Sequence, residues 1–409
     1  MKSKTYLFFA LEVGIAHIVR SLAVAEELLD RGHKVFFVLP KRKQMVIKKT
    51  KVKLLDITGY MEKDSINVIN VFDNKKLIKK VISEEIRLME KINPDGVISD
   101  SRYSATVSAI HKGIQVFFIS GTNTLPGTFY IPRTPFNAFT RFLIPFVEFM
   151  IKRFKDNIVS TLVKNSNLPV SSEEVWNKPT YLIPEFPGYV PIKAKSIVNY
   201  HYIFPISWKG FKFSTPPWLS KIKPDGNTVY LTFGGTGFDS KKLIEITEAL
   251  LKSGYRVLVS SGTIVDPSKF VKHKNLFVEK FLPGQEVAKR VDLVVCHGGH
   301  GTIMDAIIQN KPVVTIPFNP DQLFHSARVA ELGMGLYISK FRLRDLRNVF
   351  NKRWNKFETV GKKTEPSDVV EKVRYILNNY SDFQKNITKF KKNYKVDPEK
   401  AANIIERLT

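Results

Sequence analysis

Cysteine is almost absent from this chain of 409 residues, which contains a single one, Cys296. One cysteine cannot form an intrachain disulfide, and this composition fits a protein of the reducing cytoplasm. Cys296 ends an apolar stretch, so we expect it to be an inert core residue.

Long apolar runs and metal-binding patterns are also missing. No stretch of about 18 apolar residues occurs, so no transmembrane helix is predicted. The apolar residues after Lys4 are interrupted by Glu12, and we expect a first buried strand over residues 5–9 rather than a signal peptide. The chain has no Asp-x-Asp motif and no His/Cys cluster with metal-ligand spacing, so we expect no metal and no cofactor.

Acidic residues are scarce, because 38 Asp and Glu stand against 64 Lys and Arg, which gives a formal net charge of +26. An excess of this size indicates an anionic partner. The basic residues are spread along the chain and no recognised nucleic-acid module occurs, so we do not expect nucleic acid to be that partner. An acidic membrane surface fits better.

The residues that are present predict an α/β protein of more than one domain. Hydrophobic residues make up 43% of the chain, which is enough for globular cores, and the length exceeds what one core usually supports. Predicted strands cover residues 5–9, 35–39, 53–55, 96–99, 116–119, 228–233, 256–260, 276–279, 293–296 and 313–316. Predicted helices cover residues 18–30, 74–91, 102–112, 240–253, 285–290, 302–309 and 326–332. Alternation of this kind predicts parallel sheets with helices on both faces.

A stretch rich in proline, glycine and aromatic residues, 204–226, marks a domain boundary. We predict an N-terminal Rossmann-like domain over residues 1–210 and a C-terminal Rossmann-like domain over 211–375. The last segment, 376–409, is expected to form helices that pack back on the N-terminal domain. Two doubly wound domains would place a ligand in a crevice at the carboxyl ends of their strands.

The most informative segment is 296–335, CHGGHGTIMDAIIQNKPVVTIPFNPDQLFHSARVAELGMG. A buried strand runs through glycines into a helix, and such a turn can hold an anion because the backbone approaches closely and the first-turn N–H groups are unpaired. His297 and Thr302 add donors, and Asp305 lies one turn into the helix, where it can accept hydrogen bonds from a pair of ribose hydroxyls. A polar loop ending in Asp321 and Gln322 is expected after the next strand. An ordinary strand–turn–helix with a capping Thr302 is the alternative.

This segment resembles the donor-binding signature of UDP-glycosyltransferases with the GT-B fold, in which a His-Gly-Gly-x-Gly-Thr/Ser turn precedes an acidic residue and a distal Asp-Gln pair. The resemblance is to the UDP-glucuronosyl- and UDP-glucosyltransferase-like enzymes, which are related to the lipid-linked N-acetylglucosaminyltransferases. It implies two Rossmann-like doubly wound domains that face each other across a cleft. It also implies that the diphosphate contacts His297, Gly299, Gly301 and Thr302, that Asp305 (commonly Glu in the family) holds the ribose, and that Asp321 and Gln322 bind the donor sugar.

A second segment of interest, 14–35, follows the first strand and resembles the N-terminal Gly-x-x-His-x-x-Arg turn of several GT-B families, with Ala16 where many members carry a second glycine. The resemblance implies that His17 removes a proton from the acceptor hydroxyl, a role that suits a side chain exchanging protons near neutral pH. Asp100 ends a neighbouring predicted strand and would hold the imidazole. Two alternatives stay open: His17 binds only the donor phosphate, or Asp100 caps the following helix.

Further donor-side candidates are Gly234, Gly235 and Thr236, which follow the first strand of the C-terminal half, and Phe281. The glycines supply either a second phosphate-facing turn or a plain strand-to-helix connection. The family places a loop at the position of Phe281 that stacks on the uracil, although Phe281 is equally compatible with a core position.

The segment 135–155 spaces five phenylalanines by three or four residues, with basic residues nearby: Phe136, Phe139, Phe142, Phe146, Phe149, Arg141, Lys152, Arg153 and Lys155. This pattern is typical of a helix at a membrane interface. A second basic run in the same half consists of Lys41, Arg42, Lys43, Lys48, Lys49, Lys51 and Lys53. Together they would dock the domain on acidic lipid. The alternative is a core-facing aromatic stripe with a solvated basic surface.

The sequence therefore predicts an inverting, metal-independent glycosyltransferase that moves a hexose or N-acetylhexosamine from a UDP-sugar to an acceptor hydroxyl, with a small-molecule or a lipid-linked acceptor. A cytoplasmic location is expected, with peripheral attachment to the inner face of the membrane if the acceptor is lipid-linked. The alternatives are a UDP-sugar hydrolase of the same fold and a non-catalytic sugar-nucleotide-binding or membrane-scaffold subunit.

Overall fold

The computed structural model describes residues 2–12, 15–44, 47, 50–60, 68–126, 128, 130–132, 144–192, 198–206, 215–234, 240–262, 264–338, 363–397 and 399–409. The chain divides into two compact units. The first comprises Met1–Tyr130, Pro145–Phe211 and Val396–Thr409, and the second comprises Ile131–Ile144 and Lys212–Lys395. Each unit contains one parallel sheet with helices, so the predicted α/β class with two such sheets is confirmed.

The first unit is a seven-stranded sheet with its connecting helices. Its strands are β1 (Thr5–Ala10), β2 (Lys34–Val38), β3 (Lys53–Leu55), β4 (Gly96–Asp100), β5 (Gln115–Ile119), β6 (Thr180–Ile183) and β7 (Tyr200–Tyr202). Its helices are α1 (Ala16–Asp30), α2 (Lys41–Gln44), α3 (Val68–Asp73), α4 (Lys75–Ile92), α5 (Tyr103–His111), α6 (Ile144–Ser166) and α7 (Ser172–Asn177). A further helix of this unit, named α14 below, lies at the C-terminal end of the chain.

The strand order of the first sheet is β3-β2-β1-β4-β5-β6-β7, with all pairs parallel. Strands β1 and β4 are neighbours although four helices and two strands separate them along the chain. Their register places Ala10 opposite Asp100, and the Leu11 N–H donates to the Asp100 carbonyl at 2.9 Å. The loop after β1 therefore begins beside the carboxyl end of β4.

Alternate residues of the central strands pack on opposite faces of this sheet, as the two-residue period of a strand requires. On one face Tyr6 and Phe8 pack with α1 side chains such as Leu22. On the other face Leu7 and Phe9 pack with Met89 of α4 and with α5. Both faces are covered, which explains why the strands read as continuous apolar runs in the sequence.

A buried ion cluster ties three loops together at the carboxyl edge of this sheet. The Arg102 guanidinium is fully buried and donates to Glu85 Oε1 at 2.9 Å and to Glu12 Oε2 at 3.2 Å. It also lies 4.6 Å from the centre of the Tyr60 ring, and the Tyr60 N–H donates to Glu12. Burial raises the pKa of Glu85, against the opposing effect of Arg102 and the Ser104 hydroxyl. The cluster fixes the chain at Glu12, five residues before His17.

The second unit is a six-stranded sheet. Its strands are β8 (Thr228–Thr232), β9 (Arg256–Ser260), β10 (Leu276–Glu279), β11 (Leu293–Cys296), β12 (Val313–Thr315) and β13 (Gly335–Tyr337). Its helices are α8 (Ser240–Lys252), α9 (Gly284–Ala288), α10 (His300–Ile308), α11 (Pro320–Glu331), α12 (Pro366–Asn378) and α13 (Tyr380–Lys391). The final helix, α14 (Lys400–Leu408), belongs to the first unit.

The strand order of the second sheet is β10-β9-β8-β11-β12-β13, again entirely parallel. One face packs against α8 and α12, where residues such as Leu243 and Val373 meet Leu231 and Val295. Buried Cys296 ends β11, and burial raises the pKa of its thiol to about 12, so it is an inert core residue.

Three strands have no counterpart among the predicted elements: β6, β7 and β13. They are three or four residues long and lie at or next to the outer edges of the two sheets. A pattern this short carries little periodic signal, and its pairing depends on the strand beside it. Within the described residues, no helix is both long enough and apolar enough to cross a membrane.

Candidate active site and donor-binding turn

Both sequence-predicted sites lie where the strand order of a sheet reverses. In the first unit the chain leaves β1 toward β2 on one side and returns to β4 on the other, and in the second unit β8 and β11 have the same relation. The loops at such a point diverge and leave a crevice at the carboxyl ends of the strands, where open parallel sheets bind ligands. His17 follows β1 and Asp100 ends β4, whereas Gly234 follows β8 and His297 follows β11.

The structure brings His17 and Asp100 into direct contact. Helix α1 begins at Ala16, so His17 lies in its first turn, and the His17 Nδ1 atom is 2.7 Å from Asp100 Oδ1. The Asp100 side chain is fully buried, whereas His17 is partly exposed. Asp100 does not cap the following helix, because the N-cap residue of α5 is Arg102. With Nδ1 directed at Asp100, Nε2 is the ring nitrogen that remains to exchange a proton.

Two further side chains bind Asp100, and sequence reasoning gave neither of them a role. Arg20 donates from Nε to Oδ2 and from Nη2 to Oδ1, both at 2.6 Å, and Ser21 Oγ donates to Oδ2 at 2.8 Å. Burial alone would raise the pKa of Asp100, but the charges and hydrogen bonds of Arg20 and His17 lower it to about 2. Their spacing from His17 could have indicated this role, because residues three and four positions after His17 lie on the same face of the helix.

In the second unit the imidazole of His297 is enclosed by two glycine turns. A methyl group on Gly234, which has a φ of +64°, would lie 3.1 Å from His297 Cε1, and one on Gly299 would collide with Nε2. The turns after β8 and β11 therefore close on the ring only because both positions lack a side chain. Gly235 and Thr236 lie outside the described residues.

His297 is a neutral donor or acceptor rather than a cation. Burial lowers its pKa to about 4, against the opposing effects of the Thr232 backbone and the Asp321 charge. Its Nδ1 atom is buried and has no hydrogen-bond partner among the described residues. A buried polar atom normally has a partner, so this nitrogen is a candidate contact for a ligand group.

Helix α10 begins at His300, two residues earlier than predicted, so Thr302 lies in its first turn with Gly301 before it. Gly301 is exposed, and a methyl group there would meet no atom of the described segments within 4 Å. The open space in front of Gly301 adjoins the first-turn N–H groups of the helix, which favour an anion. Gly299, Gly301 and Thr302 therefore lie together at one helix end.

The predicted polar loop at Asp321 and Gln322 is wrong, because both residues lie in the first turn of α11. The helix starts at Pro320, and the side chain of Asn319 accepts a hydrogen bond from the Gln322 N–H at 2.9 Å. Gln322 is buried, and its Oε1 accepts from the Phe318 N–H at 2.8 Å, so this oxygen is used within the protein. Asp321 is exposed.

The glycine turn packs directly on α11. Gly298 has a φ of +82°, and a methyl group there would collide with Ser326 Oγ and lie 2.8 Å from the Gln322 carbonyl oxygen. The predicted diphosphate turn and the predicted sugar-binding residues are therefore adjacent in space, with Gly298 as the point of closest approach.

Asp305 projects from the second turn of α10 toward the start of α9. Burial raises the pKa of its carboxyl to about 6, against a hydrogen bond from Gln285 and the influence of His300. A methyl group on Gly284 would lie 2.7 Å from Asp305 Oδ2, so the carboxylate occupies space that only glycine leaves open. Gln285, which the sequence did not single out, is thus a partner of the predicted ribose ligand. Phe281, just before α9, is 38% exposed and is not a core residue.

Two parallel doubly wound sheets, each with its polar residues at the reversal of strand order, are the arrangement of the GT-B fold, and the chain is a glycosyltransferase of this type. Residues 228–395 match the Glycosyltransferase family 28 C-terminal domain.

Similar proteins support this class along most of the chain. A PGL/p-HBAD biosynthesis glycosyltransferase of Mycobacterium tuberculosis is 25% identical over 354 residues, which cover 82% of this chain and 81% of that protein. Among solved structures, the glycosyltransferase of kitacinnamycin has a TM-score of 0.70 at 18% identity and covers 99% of both chains. Os79 from O. sativa, solved in complex with UDP, has a TM-score of 0.65 at 15% identity and covers 94% of both chains.

Proposed function

We propose that the protein transfers a hexose or N-acetylhexosamine from a UDP-sugar to an acceptor hydroxyl, with inversion at the anomeric carbon and without a metal ion. The observation that carries the proposal is the contact of His17 Nδ1 with the buried Asp100 carboxylate, which orients the imidazole for use as a general base. This contact favours transfer over nucleotide binding alone, because binding does not need a base.

In the proposed reaction His17 Nε2 accepts the proton of the acceptor hydroxyl. The hydroxyl oxygen attacks the anomeric carbon from the face opposite the diphosphate, the bond from that carbon to the diphosphate oxygen breaks, and UDP leaves. One displacement inverts the configuration. The leaving diphosphate would be met by the N-terminal end of α10 and by Nδ1 of His297, which has no partner in the described part of the chain.

The donor groups are assigned by their position and chemistry. Phe281 is exposed enough to stack on a base, and the Asp305 carboxylate suits the two hydroxyls of a ribose. Asp321 is exposed at the start of α11 beside the glycine turn and would accept hydrogen bonds from the sugar. Gln322 offers its amide nitrogen for this purpose, and its oxygen already accepts one hydrogen bond from the Phe318 N–H. Os79, which is similar in fold, was solved in complex with UDP.

The test is transfer and hydrolysis by His17→Ala with a panel of UDP-sugars and hydroxyl acceptors, with the exposed His111→Ala on the same unit as control. We expect His17→Ala to lose transfer by about 10²–10⁴-fold while UDP binding persists. Activity should survive EDTA, and NMR of the product should show the inverted anomer. Unchanged transfer by His17→Ala would contradict the proposal. Hydrolysis of the UDP-sugar at full rate by the unaltered protein, without any acceptor, would favour a UDP-sugar hydrolase.

We further propose that the first unit binds an acidic membrane surface and so reaches a lipid-linked acceptor. Near the start of α6, Phe146 is 60% exposed and Phe149 is 57% exposed, and the exposed cations Lys152 and Arg153 follow one turn later. Aromatic side chains beside cations suit the interface of an anionic bilayer. The other phenylalanines of the predicted stripe, Phe136, Phe139 and Phe142, lie outside the described residues.

Sedimentation with vesicles tests this surface. We expect binding to vesicles that contain phosphatidylserine at low salt and weaker binding at high salt, because charge attraction is screened. A Phe146→Ser/Phe149→Ser double variant should bind less, whereas Tyr375→Ser, which removes a similarly exposed aromatic residue from the second unit, should bind like the unaltered protein. Absence of binding at low salt would exclude the proposal.

A further inference from the structure

Three polar atoms at the proposed base form a closed triangle. Asp100 Oδ1 lies 2.7 Å from His17 Nδ1 and 2.6 Å from Arg20 Nη2, and these two nitrogens lie 3.0 Å from each other. Arg20 therefore contacts both members of the His17–Asp100 pair. Within the described residues, these are the two charged groups in contact with the imidazole: Arg20 on its own helix and Asp100 from β4.

The triangle restricts where protons can lie. A guanidinium has only donors, so Arg20 Nη2 cannot accept a hydrogen bond from His17. When His17 Nδ1 carries a proton, Nδ1–H and Nη2–H both point to Asp100 Oδ1, and Nε2 has a free lone pair. When Nδ1 is unprotonated it accepts from Arg20 instead, and Nε2 is then protonated and cannot act as a base. The shorter distance from Nδ1 to the carboxylate favours the first arrangement.

Protonation of both ring nitrogens is the unfavourable case. An imidazolium would lie 3.0 Å from the permanent positive charge of Arg20, in a place where Arg20 is largely buried and Asp100 fully buried. The single negative charge of Asp100 would then have to balance two positive charges, those of the imidazolium and of Arg20. Like charges at this distance disfavour the protonated form of the group that can lose its proton.

We propose that Arg20 is a positioning residue that holds Asp100 with two hydrogen bonds and disfavours the imidazolium form of His17, so that the base is free again after each turnover. The proton that Nε2 takes from the acceptor hydroxyl then passes to water and restores the neutral ring. The inference rests on the proposed role of His17 as the base.

The test compares Arg20→Gln and Arg20→Lys with Arg31→Gln, which removes an arginine from just after the far end of α1. In Arg20→Gln, Asp100 no longer pairs with an arginine charge, so we expect the acid limb of the kcat/KM–pH profile to move up by about one pH unit. Arg20→Lys keeps the charge but not the two-pronged contact, so its acid limb should stay near that of the unaltered protein while kcat falls. Arg31→Gln should leave the profile in place.

A second readout does not depend on transfer. Diethyl pyrocarbonate modifies only unprotonated imidazole, and His17 is partly exposed. The pH at half-maximal modification of His17, followed by peptide mass spectrometry, should rise by the same amount in Arg20→Gln. An unchanged midpoint in this variant, in protein with an unaltered circular dichroism spectrum, would overturn the proposal. If His17→Ala transfers sugar normally, the proposed function fails; if His17→Ala is inactive and only the Arg20 midpoint is unchanged, this inference alone fails.

Discussion

The carboxyl of Asp305, the proposed ribose ligand, would link donor binding to pH. Its pKa is raised to about 6 because it is buried beneath Gly284, and the hydrogen bond from Gln285 only partly compensates. Above pH 6 the carboxylate can accept two hydroxyl hydrogen bonds, and below pH 6 its proton removes part of that capacity. A carboxyl whose pKa is higher in the folded than in the unfolded protein favours the protonated form in the folded state. The unliganded protein therefore gains stability from Asp305 as the pH falls through 6.

We expect the affinity for UDP-glucose to fall by about tenfold between pH 8 and pH 5 as Asp305 becomes protonated. UDP-glucose is the suitable probe because its diphosphate diester does not titrate in this range. Asp305→Asn should bind more weakly than the unaltered protein at pH 8 and show no such decline. Isothermal titration calorimetry at several pH values measures the affinity of both proteins for UDP-glucose. If the affinity of Asp305→Asn also declines, the pH dependence belongs to another group.

Residue patterns predicted contacts between residues close in sequence better than contacts between residues far apart in sequence. The order of glycine, His17 and Arg20 indicated a functional turn, and Asp100 was recognisable as a strand-end carboxylate. The hydrogen bonds from Arg20 and Ser21 to Asp100 were not predicted, because they need α1 to pack over β4, and these partners lie 80 and 79 residues apart in the chain. The Glu12–Arg102–Glu85 cluster was missed for the same reason.

At the scale of elements, the turn from β11 to α10 uses its glycines for two different purposes. Gly298 has a left-handed φ and packs on α11, so its lack of a side chain serves the fold. Gly301 has open space before it and lies within a helix, so its lack of a side chain serves no packing contact. A diphosphate can approach the N–H groups of a helix N-terminus only where no side chain fills the space in front of them.

Two alanine substitutions separate these purposes. Gly301→Ala should keep or slightly raise thermal stability, because alanine is the better helix former, and should weaken UDP binding by about tenfold or more through loss of a close phosphate contact. Gly298→Ala should lower the melting temperature, since φ and the Gln322 carbonyl both oppose a side chain. Thermal melts measure the change in stability, and UDP titration measures the change in affinity. Normal UDP binding by Gly301→Ala would place the diphosphate elsewhere.

The start of α11 was predictable in principle. Asparagine followed by proline is a recognised helix start, because the Asn319 side chain caps the first turn and proline fits the first helical position. The sequence reading placed the helix at 326 because it followed the apolar pattern alone. Asp321 therefore projects from a helical turn rather than from a loop.

At the scale of the whole chain, the C-terminal helix α14 returns to the first unit and is held there by Glu406. Glu406 contacts Arg31 Nη1 at 2.7 Å and His33 Nε2 at 2.8 Å. The Lys4 N–H donates to His33 Nδ1 at 3.1 Å, so the proton of the neutral ring must lie on Nε2, from which it is donated to Glu406. Apolar residues of α14 such as Ile405 complete the core beside α1.

We expect Glu406→Gln to lower the free energy of unfolding of the first unit by about 1–3 kcal/mol, because it leaves the Arg31 charge less well paired in a half-buried place. Glu399→Gln is the matched control, since Glu399 contacts the same Arg31 at 3.1 Å but is 63% exposed, and it should change stability by about 0.5 kcal/mol or less. Urea denaturation followed by circular dichroism measures both, and equal effects would show that burial does not set the difference.

The sequence by itself determined the class of the fold and the glycine turn between β11 and α10, because strand and helix periods and glycine spacing depend on neighbours within a few residues. Only the tertiary structure decided how the polar residues are used. It placed Arg20 against both His17 and Asp100, left Nδ1 of His297 without a partner among the residues described, and set the Asp305 carboxyl against Gly284. Those contacts join residues from strands and helices far apart in the chain, and the burial and neighbouring charge that set a proton's position exist only after these elements have packed.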